Sequence, residues 1–305
     1  MATNNLEHTT EDITEVAHEE VSHEITIFAE PIYTVGNFQI TNSLITSWLA
    51  VLVIFFFALA IKLNLKKVPG KLQHVFEIMI GGAMSLVDQV TNDRKITERI
   101  FPIVFSLFIF ILVNNWIGLL PFVSAMGFYG FHEGHKVFVP LLRAGTADIN
   151  TTLALSFMIV LASNFFGVMV VGFWKLINKY VNLIALGQIF TKFRKDKSVL
   201  IVSPISFFVG ALEFLGEFAK IASLSFRLFG NVFAGEVLLA SMAAIMVYIL
   251  PGPFLFLEVF IGLIQALIFS LLASVYFTIA AQDHSEHEEH EHQHEHTNEK
   301  ELVQV

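Results

Sequence analysis

The stretch that decides the fold is SLSFRLFGNVFAGE, Ser223–Glu236, in the middle of the longest apolar region of the chain. It carries an arginine, an asparagine and a glutamate, although the residues around it are as apolar as the core of a bilayer. An ionisable group near the centre of a bilayer costs about 2.5–3.5 kcal/mol even on a lenient insertion scale. Such residues need partners, water or a function, so this stretch holds the first candidates for a site.

The composition of the whole chain predicts an all-α integral membrane protein. Of the 305 residues, 55% are hydrophobic and only 15% are charged, too few to cover the surface of a water-soluble globule of this length. Cysteine is absent from the sequence. Disulfides, thiolate metal sites and cysteine nucleophiles are therefore excluded, and any chemistry has to come from carboxylates, histidine, arginine and amides.

Apolar stretches long enough to cross a bilayer, about 20 residues each, predict the spans. They are 43–61, 100–120, about 151–174, and a double-length region from about 200 to 281. The last is interrupted by PGP at 251–253, which we interpret as a hairpin turn because proline withdraws amides and glycine permits a reversal. We therefore expect about five transmembrane helices, the last two of them long, tilted and forming a hairpin.

Two segments do not fit simple crossings. Residues 200–250 would form about 75 Å of helix against a hydrocarbon core of about 30 Å, so this helix must be bent, strongly tilted or partly parallel to the membrane. The segment 74–90 is apolar but carries Glu77 and Asp88 and lies between basic clusters. For it we predict an interfacial or re-entrant helix.

Basic residues give the expected orientation. Lys and Arg cluster in 62–71, 93–99 and 175–197, and the positive-inside bias makes these connections cytoplasmic. The N-terminus is then outside and the C-terminus inside. We divide the chain into an acidic external tail (1–30), a transmembrane domain (31–282) and a His/Glu-rich cytoplasmic tail (283–305), and expect both tails to be disordered. Since residues 1–30 lack the features of a signal peptide, we expect the first span to direct insertion.

The ionisable residues of the last two helices follow helical spacing. Four share one face of the penultimate helix at spacings of four, three and seven: Glu213, Glu217, Lys220 and Arg227. Asn231 extends that face, whereas Glu236 points to the other side. On the last helix, Glu258 and Gln265 share a face. Carboxylic acids exchange protons and arginine does not release its own, so the pattern indicates two proton-accessible clusters kept apart by a fixed positive charge.

Other interpretations of these residues remain open. Near the inner interface, Glu213, Glu217 and Lys220 could form an ion-pair patch that reaches water. Asn231 and Gln265 could hydrogen-bond helix to helix, and Glu236 and Glu258 could pair with the external loop. In HEGH, His132 and His135 could bind a metal, but incidental loop histidines are the favoured interpretation, as is a solvated acidic tail for the six histidines from His284 to His296.

Three stretches resemble a known family, subunit a of F-type ATP synthases, the stator subunit that passes ions to the rotating ring of subunit c. RLFGNVFAGE (227–236) looks like its arginine-bearing helix, PLLRAGTADINTTLAL (140–155) like the entry into its third span, and GLIQALIFSLLASVYFTIA (262–280) like its last helix. The resemblance covers about residues 31 to 282, and the arginine motif combined with the later glutamine helix is highly specific.

The resemblance implies a role for each candidate residue. Arg227 is similar to the essential stator arginine, which attracts the deprotonated carboxylate of subunit c and prevents ions from passing directly between half-channels. The outer half-channel would be lined by Asn231, Glu236, Glu258 and Gln265, with Asp148 near its mouth. Glu213 and Ser223 would belong to the inner half-channel. Family members often have a glutamate and a histidine where this chain has two glutamates, so we expect that Glu236 and Glu258 share a proton.

The implied function is that of an ion-translocating subunit with no nucleotide site of its own, since no Gly-rich phosphate loop or nucleophile motif is visible. Its partners would be the subunit c ring, the subunit b peripheral stalk, the lipid bilayer and transported H+ or Na+, with no nucleic acid and no cofactor, in a bacterial plasma membrane. The alternative is a self-sufficient secondary transporter, but the inverted repeats common in such folds are not found. A purely structural scaffold would leave Arg227 unexplained.

Overall fold

The computed structural model describes residues 28–36, 38–66, 70–120, 123, 126–132, 135–172, 199–246 and 249–281. Most of these residues are helical. The helices are α1 (Asn42–Leu63), α2 (Lys71–Thr91), α3 (Arg94–Gly118), α4 (Ile149–Val171), α5 (Val199–Ile245) and α6 (Pro251–Ala281), with a short 3-10 turn at Gly145–Ala147 ahead of α4. The predictions for the acidic tail before residue 28, the basic connection 175–197 and the tail 283–305 lie outside the described residues.

Five of these helices are long and apolar enough to cross a membrane, which confirms the predicted fold class. They are Asn42–Leu63, Arg94–Gly118, Ile149–Val171, Phe208–Ile245 and Pro251–Ala281. Helix α5 has 47 residues and is therefore about 70 Å long, more than twice the thickness of a hydrocarbon core. How α5 lies in a membrane stays a prediction.

The predicted position of the hairpin turn at 251–253 is wrong by a few residues. The helical chain breaks between Ile245 and Pro251, and the PGP sequence forms the first turn of α6. The physical reason is that the first N–H groups of a helix have no partner within it, so proline fits there without losing a hydrogen bond.

Two short β-hairpins accompany the helices and were not predicted. Strands β1 (Pro31–Val35) and β2 (Phe38–Thr41) pair antiparallel directly ahead of α1. Strands β3 (Gly127–His132) and β4 (His135–Pro140) form the second hairpin, in which His132 and His135 are opposite each other at the closed end. Both hairpins lie in connections of mixed composition, where the alternating pattern of a strand is too short to recognise.

Helix α2 contains the segment 74–90, for which the sequence predicts an interfacial or re-entrant helix. It is absent from the five candidate spans of the described chain and exposes large apolar side chains such as Val75 and Ile78. A short turn with Asn92 in the left-handed region joins α2 to α3, and Arg94 of α3 donates to Asp88 of α2 across it. An interfacial location of α2 fits this helix but stays a prediction.

The described chain divides into two compact units. Unit 1 takes the described residues of Met1–Gln73, Ser106–Ala154 and Leu224–Ile268, and unit 2 takes those of His74–Phe105, Leu155–Ser223 and Phe269–Val305. The core of unit 2 is apolar and consists of Val87, Ile100, Val104, Phe166, Phe277 and Ala281. Phe166 of α4 meets Phe277 of α6 edge to face, with ring centroids 5.7 Å apart. Unit 1 has a more polar interior, and six of the eight candidate residues belong to it.

Candidate functional site

The first feature of unit 1 is a buried ion pair between Arg143 and Glu236. Arg143 donates from Nε at 3.0 Å and from Nη2 at 2.8 Å to the same oxygen, Glu236 Oε2. The arginine side chain is 8% exposed and the glutamate side chain 24% exposed. The two residues are 93 positions apart in the chain. The possibility that Glu236 pairs with the loop ahead of α4 is therefore realised in the structure.

Arg143 is fixed by two further elements. Its backbone N–H donates to Thr46 Oγ1 in α1 at 3.1 Å, and its Nη1 donates to the carbonyl of Phe28 at 3.4 Å. Arg143 is thus held by hydrogen bonds to the segment ahead of β1, to α1 and to α5. Arg143 is not among the residues predicted from the sequence, although it is the only cation of the quoted 140–155 stretch and lies five residues before Asp148.

Glu258 of α6 is buried in the same unit, with 8% exposure. Its carboxyl lies against the backbone of Gly235, since a Cβ added there would be 2.5 Å from Glu258 Cδ and 2.8 Å from Oε1. The glycine makes room for the carboxyl at the position directly before Glu236. Within the described part of the chain, Glu258 has no ion-pair partner.

Asp148 is held at the start of α4. Its carboxylate accepts from Ser43 Oγ at 3.1 Å, from Thr151 Oγ1 at 3.3 Å and from the backbone N–H of Asn150 at 3.1 Å. The last of these bonds orients the carboxylate over the first turn of the helix, where the helix dipole favours a negative charge. Asp148 is 4% exposed and is thus a buried, fully engaged acceptor.

Asn115 and Trp116 of α3 belong to a polar network in unit 1 that was not predicted from the sequence. Asn115 of α3 donates from Nδ2 to the carbonyl of Gly262 at 3.1 Å, and its Oδ1 accepts from Thr146 Oγ1 at 2.7 Å. Trp116 Nε1 donates to the carbonyl of Val259 at 3.2 Å. The pair NN within an apolar run is the signal that would have found it, because buried amides require partners.

The two candidate amides lie on α5 and α6 of unit 1. Among the described residues, Asn231 Nδ2 and Gln265 Nε2 are buried donors without a hydrogen-bond partner. Gln265 as a whole is 7% exposed. A buried unsatisfied donor costs about 1–3 kcal/mol, so these amides are suited to bind water or a further polar group.

Arg227 lies on the exposed side of α5 in unit 1. The buried side of the helix there is formed by Leu224, Ser225 and Leu228, and Ser225 Oγ is 3.2 Å from Thr152 Oγ1 of α4. Arg227 itself is exposed, as is the large apolar side chain of Phe226 next to it. The packing of α5 thus leaves Arg227 on the outer side of the helix, next to the exposed ring of Phe226.

The remaining candidates, Glu213 and Ser223, belong to unit 2. Ser223 is exposed and Glu213 is half-buried. Near them, Lys220 Nζ donates to Glu217 Oε1 at 2.8 Å, and Asn164 Nδ2 of α4 donates to Glu217 Oε2 at 3.3 Å. Lys220 also lies 5.4 Å from the ring centroid of Tyr276. Glu217 and Lys220 therefore form the ion pair that was one of the two interpretations of these residues.

The candidate residues are accordingly divided. Six belong to unit 1: Asp148, Arg227, Asn231, Glu236, Glu258 and Gln265. Two belong to unit 2: Glu213 and Ser223. The fold and these polar side chains, of which Asp148, Glu258 and Gln265 are buried, define a class of protein, an α-helical membrane protein whose candidate spans carry ionisable side chains.

Comparison with known proteins gives the family. The model of the family described as ATP synthase A chain matches residues 44–278. ATP synthase subunit a of Geotalea uraniireducens (strain Rf4) is 32% identical over 230 residues, which cover 75% of this chain and 83% of the relative. The protein of the same name from Mycobacterium ulcerans (strain Agy99) is 29% identical over 254 residues, 81% of this chain and 89% of the relative. This chain therefore belongs to the ATP synthase A chain family.

Proposed function

We propose that this chain is the ion-translocating stator subunit of an F-type ATP synthase. It provides two offset half-channels that load and unload H+, or alternatively Na+, on the carboxylates of the subunit c ring. Ion flow is thereby coupled to rotation of the ring and to ATP synthesis elsewhere in the complex. The chain itself is non-catalytic. Its partners are the subunit c ring and the subunit b stalk, and its location is the bacterial plasma membrane.

The observation that carries this proposal is the outward position of Arg227 on α5. An arginine exposed on an apolar candidate span has a high cost in lipid, so it faces a partner rather than hydrocarbon. A ring carboxylate is a suitable partner because it is negative when deprotonated and neutral when protonated. Arg227 favours the charged form as the carboxylate passes and does not itself release a proton.

The division of the candidate residues supports two half-channels. Asn231, Glu236, Glu258 and Gln265, with Asp148, form the outer half-channel in unit 1, and Glu213 and Ser223 belong to the inner half-channel in unit 2. In the orientation predicted by the basic residues, the N-terminus is outside and the C-terminus is cytoplasmic. Each charge that crosses the membrane supplies about 2.3 kcal/mol per 100 mV, so several ions per turn drive rotation.

Replacement of Arg227 tests the proposal. The assay is ATP synthesis driven by an imposed proton gradient in vesicles that contain the complete complex. We expect Arg227→Ala to lower this synthesis by about tenfold or more, because the ring carboxylate loses the positive charge that favours its deprotonated form as it passes. The matched control is Arg94→Ala, which removes an arginine exposed at the α2–α3 turn and should leave synthesis within about twofold of wild type. Near-normal synthesis by an assembled Arg227→Ala complex would refute the proposal.

A further inference from the structure

The two glutamates expected to share a proton have different surroundings. Glu236 receives two charge-assisted hydrogen bonds from Arg143, at 3.0 and 2.8 Å. Arginine stays protonated in proteins, and Arg143 is buried. If Glu236 took up a proton, the guanidinium would remain as an uncompensated charge inside the protein, which is strongly unfavourable. The contact with Arg143 therefore favours the doubly charged form of this pair.

Glu258 has no such constraint. Its carboxyl is buried against Gly235, and within the described part of the chain no cation pairs with it. The side chains that α3 brings to this stretch of α6 are those of Asn115 and Trp116, which are neutral. Protonation of Glu258 removes a buried negative charge without leaving another charge unpaired. It is thus the glutamate whose protonated and ionised forms are both accessible.

The neighbouring elements of unit 1 carry other charged groups. The loop ahead of α4 contributes Arg143 and Asp148, and Asp148 already accepts three hydrogen bonds. The segment ahead of β1 contributes Glu30, and α5 contributes Glu236. Of these, Arg143 is the group that contacts Glu236 directly.

We propose that Arg143 is a positioning residue that holds Glu236 as a fixed anion, so that Glu258 is the member of the pair that carries the transported proton. This inference rests on the proposed function and specifies how its outer half-channel works. It replaces a proton shared by two equivalent glutamates with one fixed ion pair and one titrating group. Because the charges of Arg143 and Glu236 cancel, Glu258 changes charge beside a pair that is neutral overall.

Proton uptake by vesicles that contain the assembled complex, stripped of its catalytic head, tests the inference. We expect Glu258→Gln to lower uptake by about tenfold or more, since it removes the titrating group. Arg143→Gln and Glu236→Gln alone should each lower uptake, because each leaves a buried charge unpaired. The double variant Arg143→Gln/Glu236→Gln removes both charges and should recover much of the uptake that is lost in either single variant, which is the behaviour of a coupled pair.

The pH profile of uptake separates positioning from a general loss of structure. We expect Arg143→Gln to change the shape of the profile, because Glu236 becomes a second titrating carboxyl. Arg143→Lys and the double variant should keep the single titration of wild type. If Arg143→Gln instead lowered uptake equally at every pH, without a change in the shape of the profile, its effect would be a structural defect alone. That result would refute the inference.

Two results of the uptake measurement would contradict the inference. One is a double variant as inactive as Glu258→Gln, and the other is a Glu258→Gln complex with wild-type uptake. Assembled complex is quantified for every variant, so that uptake is compared per complex. If either result is found while Arg227→Ala lowers ATP synthesis as expected, the proposed function stands and the inference about Arg143 fails. Normal synthesis by Arg227→Ala would remove the proposed function instead.

Discussion

The carboxyl of Glu258 in α6 packs directly against the backbone of Gly235 in α5. A Cβ at position 235 would lie 2.5 Å from Glu258 Cδ, well inside van der Waals contact. A glycine that comes immediately before one candidate glutamate thus makes space for the other. Any side chain at position 235, in the interior of α5, would therefore force the carboxyl of Glu258 to move.

The first prediction concerns this close approach. Gly235→Ala should displace the carboxyl of Glu258 and lower proton uptake by vesicles with the head removed, by about tenfold, because a misplacement of about 1 Å has effects of that order or greater. Gly81→Ala in α2 is the matched control, since a Cβ there meets nothing within 4 Å. Uptake that is equally high in both variants would show that the position of Glu258 is unimportant.

The second prediction concerns Gly145, in the turn between Arg143 and Asp148. A Cβ at this position would be 2.6 Å from Asn114 Oδ1 and 3.4 Å from the carbonyl of Ser43. Gly145→Ala should destabilise the turn by about 1–3 kcal/mol, as overpacking does. The measurement is the temperature at which the chain is lost from the purified complex, with Gly82→Ala as the control because its Cβ would meet open space. An unchanged temperature would contradict the tight packing of this turn.

The third prediction concerns the amide of Asn115. Asn115→Ala removes the bonds to Gly262 and Thr146 and leaves a buried carbonyl and a buried hydroxyl without these partners. The expected cost is about 1–3 kcal/mol in total, chiefly from the Thr146 hydroxyl because the Gly262 carbonyl lies inside α6, and it is measured as earlier loss of the chain on heating. Asn64→Ala is the control: its amide also donates to a backbone carbonyl, of Ala60, but is exposed, so its removal should change little. Equal effects of the two variants would argue against the network.

The fourth prediction separates the carboxylates of unit 2. Glu217 already has Lys220 and Asn164 as partners, whereas Glu213 is a candidate for the inner half-channel. We expect Glu213→Gln to lower proton uptake several-fold. Lys220→Gln should keep uptake within about threefold of wild type, because a partly exposed ion pair contributes little. A larger loss in Lys220→Gln than in Glu213→Gln would assign conduction to the ion pair instead.

The helices were predictable because their signal is local. Apolar runs of 20 residues or more can hardly form anything but membrane-spanning helices, so the five candidate spans agree with the predicted ones. The turn at PGP was misplaced because proline both ends helices and begins them, and the sequence does not tell the two uses apart. The hairpins β1–β2 and β3–β4 were missed because strand pairing depends on a partner strand as well as on the pattern of each strand.

The candidate site was predictable only in part. Arg227, Glu236 and Glu258 stand out because charge is rare in apolar helices. Arg143 does not stand out in this way, because it lies in a connection between helices, where a cation is common. Its importance comes from a contact with a residue 93 positions away.

The sequence by itself therefore determined the membrane class, the helices and which side chains are costly to bury, because these follow from the composition of short segments. The tertiary structure decided which of those side chains meet. It pairs Glu236 with Arg143 and places Glu258 against Gly235, two contacts that depend on how distant segments pack. Two glutamates that are chemically identical in the sequence differ in the fold because, among the described residues, a fixed positive charge pairs with Glu236 and none pairs with Glu258.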